Sequence, residues 1–168
     1  MNANGERKMT LEAADLHKAL QEANGARGHL YLALLRALER RFGREEAVAA
    51  MREALRDWGR HLGQGLARHA PGDFGGLAQD FVHAPDGGRM FEPVVHRCDA
   101  SGIDTQMMRC PLKRAWQAAG LPDAEIALLC SIASEADHGT MEAAGFQLEI
   151  ETWQPGRIGC CMLRVRRR

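Results

Sequence analysis

Five cysteines, Cys98, Cys110, Cys130, Cys160 and Cys161, carry most of the reactive chemistry open to this chain. A thiol acts as nucleophile or metal ligand through its thiolate, so the question is which of the five sits where ionisation is favoured. Cys110 stands directly before Pro111, a residue suited to the first position of a helix. That places the thiol at a strand-to-helix junction, where the positive end of the helix favours the thiolate. Cys130 shares an apolar helix face with Ile126, Leu129 and Ala133, a position that an inert small hydrophobe would also take. Cys160 and Cys161 are neighbours in "RIGCCMLRV", and in an extended segment successive side chains point to opposite faces. Cys161 alternates in phase with Leu163 and Val165, and Cys160 with Met162 and Arg164. The alternation therefore predicts that Cys161, and not Cys160, faces the core or a pocket.

Acid–base partners are offered by "SEADHG", the most polar local cluster, which reads as the end of a helix ahead of Gly139. His138 beside Asp137 supplies an imidazole and a carboxylate, the base-plus-orienter half of a nucleophilic site. Adjacent helical residues do not face each other, so Asp137 reads rather as solvated or capping the helix, and His138 stays open. His96, Glu125 and Glu135 complete the candidate set. No two cysteines are separated by two residues, which disfavours a zinc ribbon. The sequence requires no cofactor and leaves open a metal held by Cys and His ligands that converge from separate strands.

The elements that must position these groups can be read from periodicity. A short helix is expected from Thr10, as its N-cap, to about Gln21, interrupted by "NGARG". Residues 1–27 then form an N-terminal extension and residues 28–168 a single domain. From Gly28, Leu30, Leu34, Leu35 and Leu38 recur at helical spacing until "RRFG" stops the run. A second helix, Arg44 to about His69, carries the stripe Val48, Met51, Leu55, Trp58 and Leu62, read as core throughout. The short joint makes the two helices antiparallel neighbours. "APGDFGGLAQDFVHAPDGGRM" reads as a loop with one helical turn, of the kind that covers pockets. "MFEPVVHRC" and "GIDTQMMRC" read as strands joined by "DASG", with Pro93 placing the first at an edge. A helix follows Pro111 and stops at Gly120, with Leu112, Ala115, Trp116 and Ala119 on one face. A third long helix starts near "LPDAE", and "QLEIETW" and "CCMLRV" form a terminal hairpin around "QPGRIG". The fold class is α+β, with paired N-terminal helices and C-terminal helices packed on a small antiparallel sheet.

Composition narrows the function. Lys plus Arg and Asp plus Glu are equal at 22 each, so no global field draws the chain to nucleic acid or to a membrane surface. Arg164, Arg166, Arg167 and Arg168 read as a solvated tail. No apolar run approaches the ~18 residues of a membrane span. The odd cysteine count and the lack of an apolar N-terminal run predict reduced thiols and a cytoplasmic protein. A small molecule is the expected partner, and a homo-oligomer stays open.

The run "RCPLKRAWQAAGLPDAEIALLC" and the later "WQPGRIGCCMLRV" resemble the L-2-amino-thiazoline-4-carboxylic acid hydrolase family. "YLALLRALERRFGREEAVAAMREAL" looks like that family's paired N-terminal helices. The resemblance matches Cys110, Cys130 and Cys161 to the family's recurring cysteines. It gives Asp137 the role of the acidic residue after the helix cysteine, in a segment, "SIASEADHGTMEAAG", that departs from the pattern. It implies a hydrolase that adds water to a cyclic amidine carbon and opens a thiazoline ring to an N-carbamoyl amino acid, a C–N-cleaving class of reaction on cyclic amidines or amides. Such chemistry needs an activated nucleophile, a proton donor for the leaving atom and an anchor for the carboxylate. Thiols with Asp137 or His138 would supply the first two, and Arg109 or Arg114, with Trp116, the substrate contacts. A covalent thiol and a thiol-held metal that activates water both remain open. The alternative is a non-enzymatic small-molecule or metal-binding sensor domain of the vinyl-reductase-like type. The pocket is expected between the terminal hairpin, the Cys110 junction and the Cys130 helix, covered by the loop around Gly75 and Gly76.

Overall fold

The computed structural model describes residues 3–84 and 86–168, with side chains from residue 14 onward. Helix α1 spans Ala3–Phe42 without a break, so the short helix expected to be interrupted by "NGARG" instead runs straight through it. Thr10, expected as an N-cap, lies within α1, and its side chain is outside the described residues. The glycines serve packing here. A Cβ on Gly28 would come within 3.3 Å of both Leu112 Cα and Trp116 Nε1, and the Trp116 indole N–H donates to the Gly28 carbonyl at 2.8 Å. The ~1 kcal/mol that glycine costs a helix is offset by this close approach. The buried face of α1 is Gly28, Tyr31, Leu32 and Leu35, while Leu30 and Leu34 stay exposed.

Gly43, at φ +84°, turns the chain into α2 (Arg44–Gly63), which tightens into a 3₁₀ turn over Gln64–His69. After a one-turn helix α3 (Phe74–Leu77) and a π turn over Ala78–Val82, the chain enters the sheet. Strand β1 (Pro93–Asp99) pairs antiparallel with β2 (Gly102–Met107) and lies at the edge that Pro93 predicted. Helices α4 (Pro111–Ala118), α5 (Asp123–Ala133) and α6 (Glu135–Ala144) follow. The chain then closes with β3 (Phe146–Glu151) and β4 (Met162–Arg167), a pair spanned by residues 152–161. The sheet order is β1-β2-β4-β3, all antiparallel. This is the α+β class expected from the sequence.

The long helix expected after "LPDAE" bends at Ser134 into α5 and α6. Gly139 does not end it. Gly139 lies inside α6, facing α2 so closely that a Cβ would meet the Arg56 carbonyl oxygen at 2.0 Å, and Gly59 and Gly63 of α2 answer with equal closeness to Ala136 and Thr140. Two helices at this separation are locked in register by backbone contact. Gly145, at φ +84°, is the actual stop.

One face of the sheet, including Ile103, Thr105, Leu163 and Val165, is buried. The other carries ion pairs, Arg166 to Asp104 and Arg164 to Glu151, each at 2.6 Å. The terminal arginines are therefore mostly strand, with Arg164 to Arg167 inside β4. Two apolar clusters fill the molecule. One is built on α1, α2, α4 and α5, and the other on α3, the following π turn, α6 and the sheet.

Candidate active site

A cavity of about 580 Å³ opens at the seam of the two clusters. Its walls come from α1, α2, α4, α5, α6 and the segment after α3, and Cys160, Cys161 and Leu163 close it from the sheet side. That volume lies in the range of small-molecule sites. The segment after α3 contributes Asp80, Phe81, Met90 and Phe91, whereas Gly75 and Gly76 stay off the wall and wrap the Asp73 cap of α3.

Four thiols gather on the cavity wall. Cys110, Cys130, Cys160 and Cys161 all line the cavity, and exposed Cys98 does not. The two vicinal thiols do not alternate as expected. Cys160 is the buried thiol, 5 % exposed, and Cys161 is half-buried. Strand β4 begins only at Met162, and just before it the Cys160 N–H donates to the Met107 carbonyl at 2.7 Å while the Met107 N–H donates to the Cys161 carbonyl at 2.8 Å. Two residues thus oppose one, as in a β-bulge, after a Gly159 at φ +79°. The bulge turns both side chains to one side, and their sulfurs lie 3.4 Å apart.

The Cys160 and Cys161 thiols share a hydrogen bond, and the Cys110, Cys130 and Cys161 thiols around Cys160 push its own thiol up, so the proton stays on Cys160. Cys110 responds in the opposite sense. Its thiol is brought down to about 7 by the Cys160 hydrogen bond first, against desolvation, and then by the N–H groups of Lys113 and Leu112 and the Lys113 charge. Cys110 is the N-cap of α4 with Pro111 at the first helical position, so the positive end of the helix lies beside the thiol. Lys113 is held in place by the Gly159 carbonyl and by the Trp153 ring, 5.3 Å away.

The same cavity holds Arg27 and Asp137. Arg27 reaches in from α1, its guanidinium carbon 5.7 Å from the Trp58 ring centre and 6.0 Å from that of Tyr31. Its buried Nε has no hydrogen-bond partner among the described residues. Asp137, on α6, faces the same cavity, and burial pushes its carboxyl up to about 6 against the pull of Arg27. Burial also raises the Tyr31 phenol, with Arg27 lowering it and Asp137 raising it further. Trp58 and Leu62, expected as core, are 40 % and 46 % exposed and form cavity wall. Only the first part of their stripe, Met51 and Leu55, is buried.

Three expected site residues lie elsewhere. His138 faces a separate groove with Arg56, Glu142 and Arg164, where burial lowers its pKa, so it is not paired with Asp137. Helical geometry sends these neighbours to different sides. Arg109 is taken by Glu92 at 3.0 Å, and Arg109 and Arg114 line a shallow hollow outside the cavity. Trp116 does reach the cavity wall, though it is fully buried. Among the described residues no three His, Cys, Asp or Glu side chains are grouped to hold a metal ion.

A family model described as L-2-amino-thiazoline-4-carboxylic acid hydrolase matches residues 24–164. The chain belongs to this hydrolase family. The matched span includes the cavity residues from Arg27 to Cys161. Searches of curated proteins and of solved structures find no match. No described helix is long and apolar enough to cross a membrane.

In this member of the hydrolase family, sequence reasoning missed Arg27, Tyr31 and Cys160. For Arg27 a signal existed. Arg27, Tyr31 and Leu35 follow at i, i+4 and i+8, so a cation stood in register with a buried helical stripe. The flanking glycines, read as a helix break, hid that register. No comparable signal marked Cys160, because the bulge depends on Met107, far away in the sequence.

Proposed function

We propose that the protein is a thiol-dependent hydrolase that opens a cyclic amidine or cyclic amide bearing a carboxylate, of the 2-aminothiazoline-4-carboxylate kind. Cys110 carries the proposal: a thiol lowered to about 7 by Cys160 and by the α4 N-terminus, on the wall of a cavity that also holds a cation and a carboxyl poised near neutrality. Thiolate nucleophiles are made in this way.

In the first half-reaction the Cys110 thiolate adds to the amidine carbon, the ring bond to the leaving atom breaks, and the Asp137 carboxyl protonates that atom. From an aminothiazoline the leaving atom is sulfur, so the bond broken is C–S and not the C–N bond expected from the resemblance, and the enzyme carries an S-linked isothiourea. From a ring closed through nitrogen the same collapse breaks a C–N bond. In the second half, water adds to the same carbon and gives its proton to the Asp137 carboxylate. The bond to Cys110 then breaks, the thiolate returns, and an N-carbamoyl amino acid with a free thiol leaves. Asp137, near 6, suits a group that gives and regains a proton close to neutral pH. Arg27, with an unpaired donor, is assigned to the substrate carboxylate.

Acid-quenched mixtures with 2-aminothiazoline-4-carboxylate test the mechanism by mass spectrometry. The ring-opened adduct keeps every substrate atom, so the Cys110 peptide should gain the full substrate mass. Turnover with no adduct, undiminished in Cys110→Ser, would remove the thiol from the mechanism.

A further inference from the structure

The cavity is larger and more apolar than the ring named by the family requires. At about 580 Å³ it falls within the roughly 300–1,000 Å³ that encloses drug-sized ligands, whereas a five-membered ring with one carboxylate fills a small part of that space. The surplus is lined by hydrophobes. Trp58 and Leu62 continue the α2 stripe beyond Leu55 and stay open to the cavity, and Phe81, Met90 and Phe91 of the segment after α3 line it too. Large apolar side chains left open in a cavity with few polar groups call for an apolar occupant. Meanwhile the polar chemistry is confined to Arg27 with Asp137 and to the thiols.

We infer that the substrate is a cyclic amidine or amide acid with a sizeable apolar substituent, aryl or branched alkyl, seated against Trp58, Leu62, Phe81 and Phe91. This substrate class rests on the ring-opening reading, since that reading supplies the amidine and carboxylate which the thiols and Arg27 hold. The substituent then fills the space between the α2 stripe and the segment after α3. Leu62 and Trp58 act as specificity residues, which favour such a ring over the bare one.

The test is binding, measured by calorimetry on the full-length Cys110→Ser protein, which holds ligand without consuming it. The probes are 2-aminothiazoline-4-carboxylate and its 5-phenyl and 5-isobutyl derivatives. Burial of one such group should tighten binding at least tenfold over the bare ring. In a Cys110→Ser, Leu62→Ser double variant that ratio should fall several-fold, and a urea midpoint matching that of the single variant would show an intact fold. Equal or weaker binding of the substituted rings overturns the inference, as does a ratio indifferent to Leu62. Turnover of the bare ring by wild-type protein with no gain from substituents would leave the hydrolase reading standing without this one. Selective binding of substituted rings with no turnover of any would do the reverse.

Discussion

On the wall of one cavity the Cys110 thiol is drawn down to about 7 and the Asp137 carboxyl is pushed up to about 6. Both groups are half-buried, and desolvation opposes the charged form of each. Partners make the difference. Cys110 has the Cys160 thiol, the N-terminus of α4 and the Lys113 charge to set against its burial, whereas Asp137 has one cation, Arg27. Two acids with ordinary values several units apart thus arrive near neutrality from opposite sides. The surroundings of Cys110 favour the anion, whereas those of Asp137 favour the protonated carboxyl.

Removing the thiol should have the largest effect. Cys110→Ser should lower kcat/KM at least ~10³-fold, because a hydroxyl is not ionised at this site, with no loss of substrate binding in calorimetry. Arg27→Gln comes next. An anchor that grips substrate and transition state alike should raise KM roughly 10–100-fold with kcat little changed, and the decarboxylated ring should not sense the change.

Asp137 sharpens the contrast through stability. Its folded-state carboxyl lies above its unfolded value, so the native state binds more protons between about pH 4 and 6, and stability falls as pH rises through that window. Asp137→Asn escapes the loss. It should be more stable than wild type at pH 7, by on the order of 1–3 kcal/mol in urea midpoints, and equal to it near pH 4. Its kcat should drop, and a bell-shaped kcat/KM profile with limbs near 6 and 7 should reduce to a single rise through about 7.

The smallest expected effect separates the neighbouring thiols. Cys160→Ser should cost about 1–2 kcal/mol, since it puts a hydroxyl among three sulfurs at a buried site, and it should raise the Cys110 value. Cys161→Ser, at a half-buried position, should cost less than ~1 kcal/mol and leave Cys110 nearly unchanged.

Sequence reasoning was strongest where the cause is local. Pro111 announced the helix start at Cys110, Pro93 the edge strand, and the alternation of "QLEIETW" the strand β3. It weakened where distant chain decides the outcome. Gly25, Gly28 and Gly139 look alike in sequence to glycines that end helices, and what makes Gly28 and Gly139 interior is a helix packed directly on each. Trp58 sits in an unbroken apolar stripe, and nothing local tells that α2 runs from core onto cavity wall after Leu55. Arg27 was lost for the first of these reasons, and the order of the two vicinal thiols because a bulge resets strand phase.

The central claim is that Cys110 is a thiolate near neutral pH because Cys160 and the α4 N-terminus make it one. The pH dependence of Cys110 alkylation by iodoacetamide, followed peptide by peptide, measures this without any substrate. The rate at Cys110 should rise through an inflection at about 7 and exceed that at Cys130, Cys160 and Cys161. An inflection near ~8.5, the value of an unperturbed thiol, or faster labelling of Cys160, would contradict it.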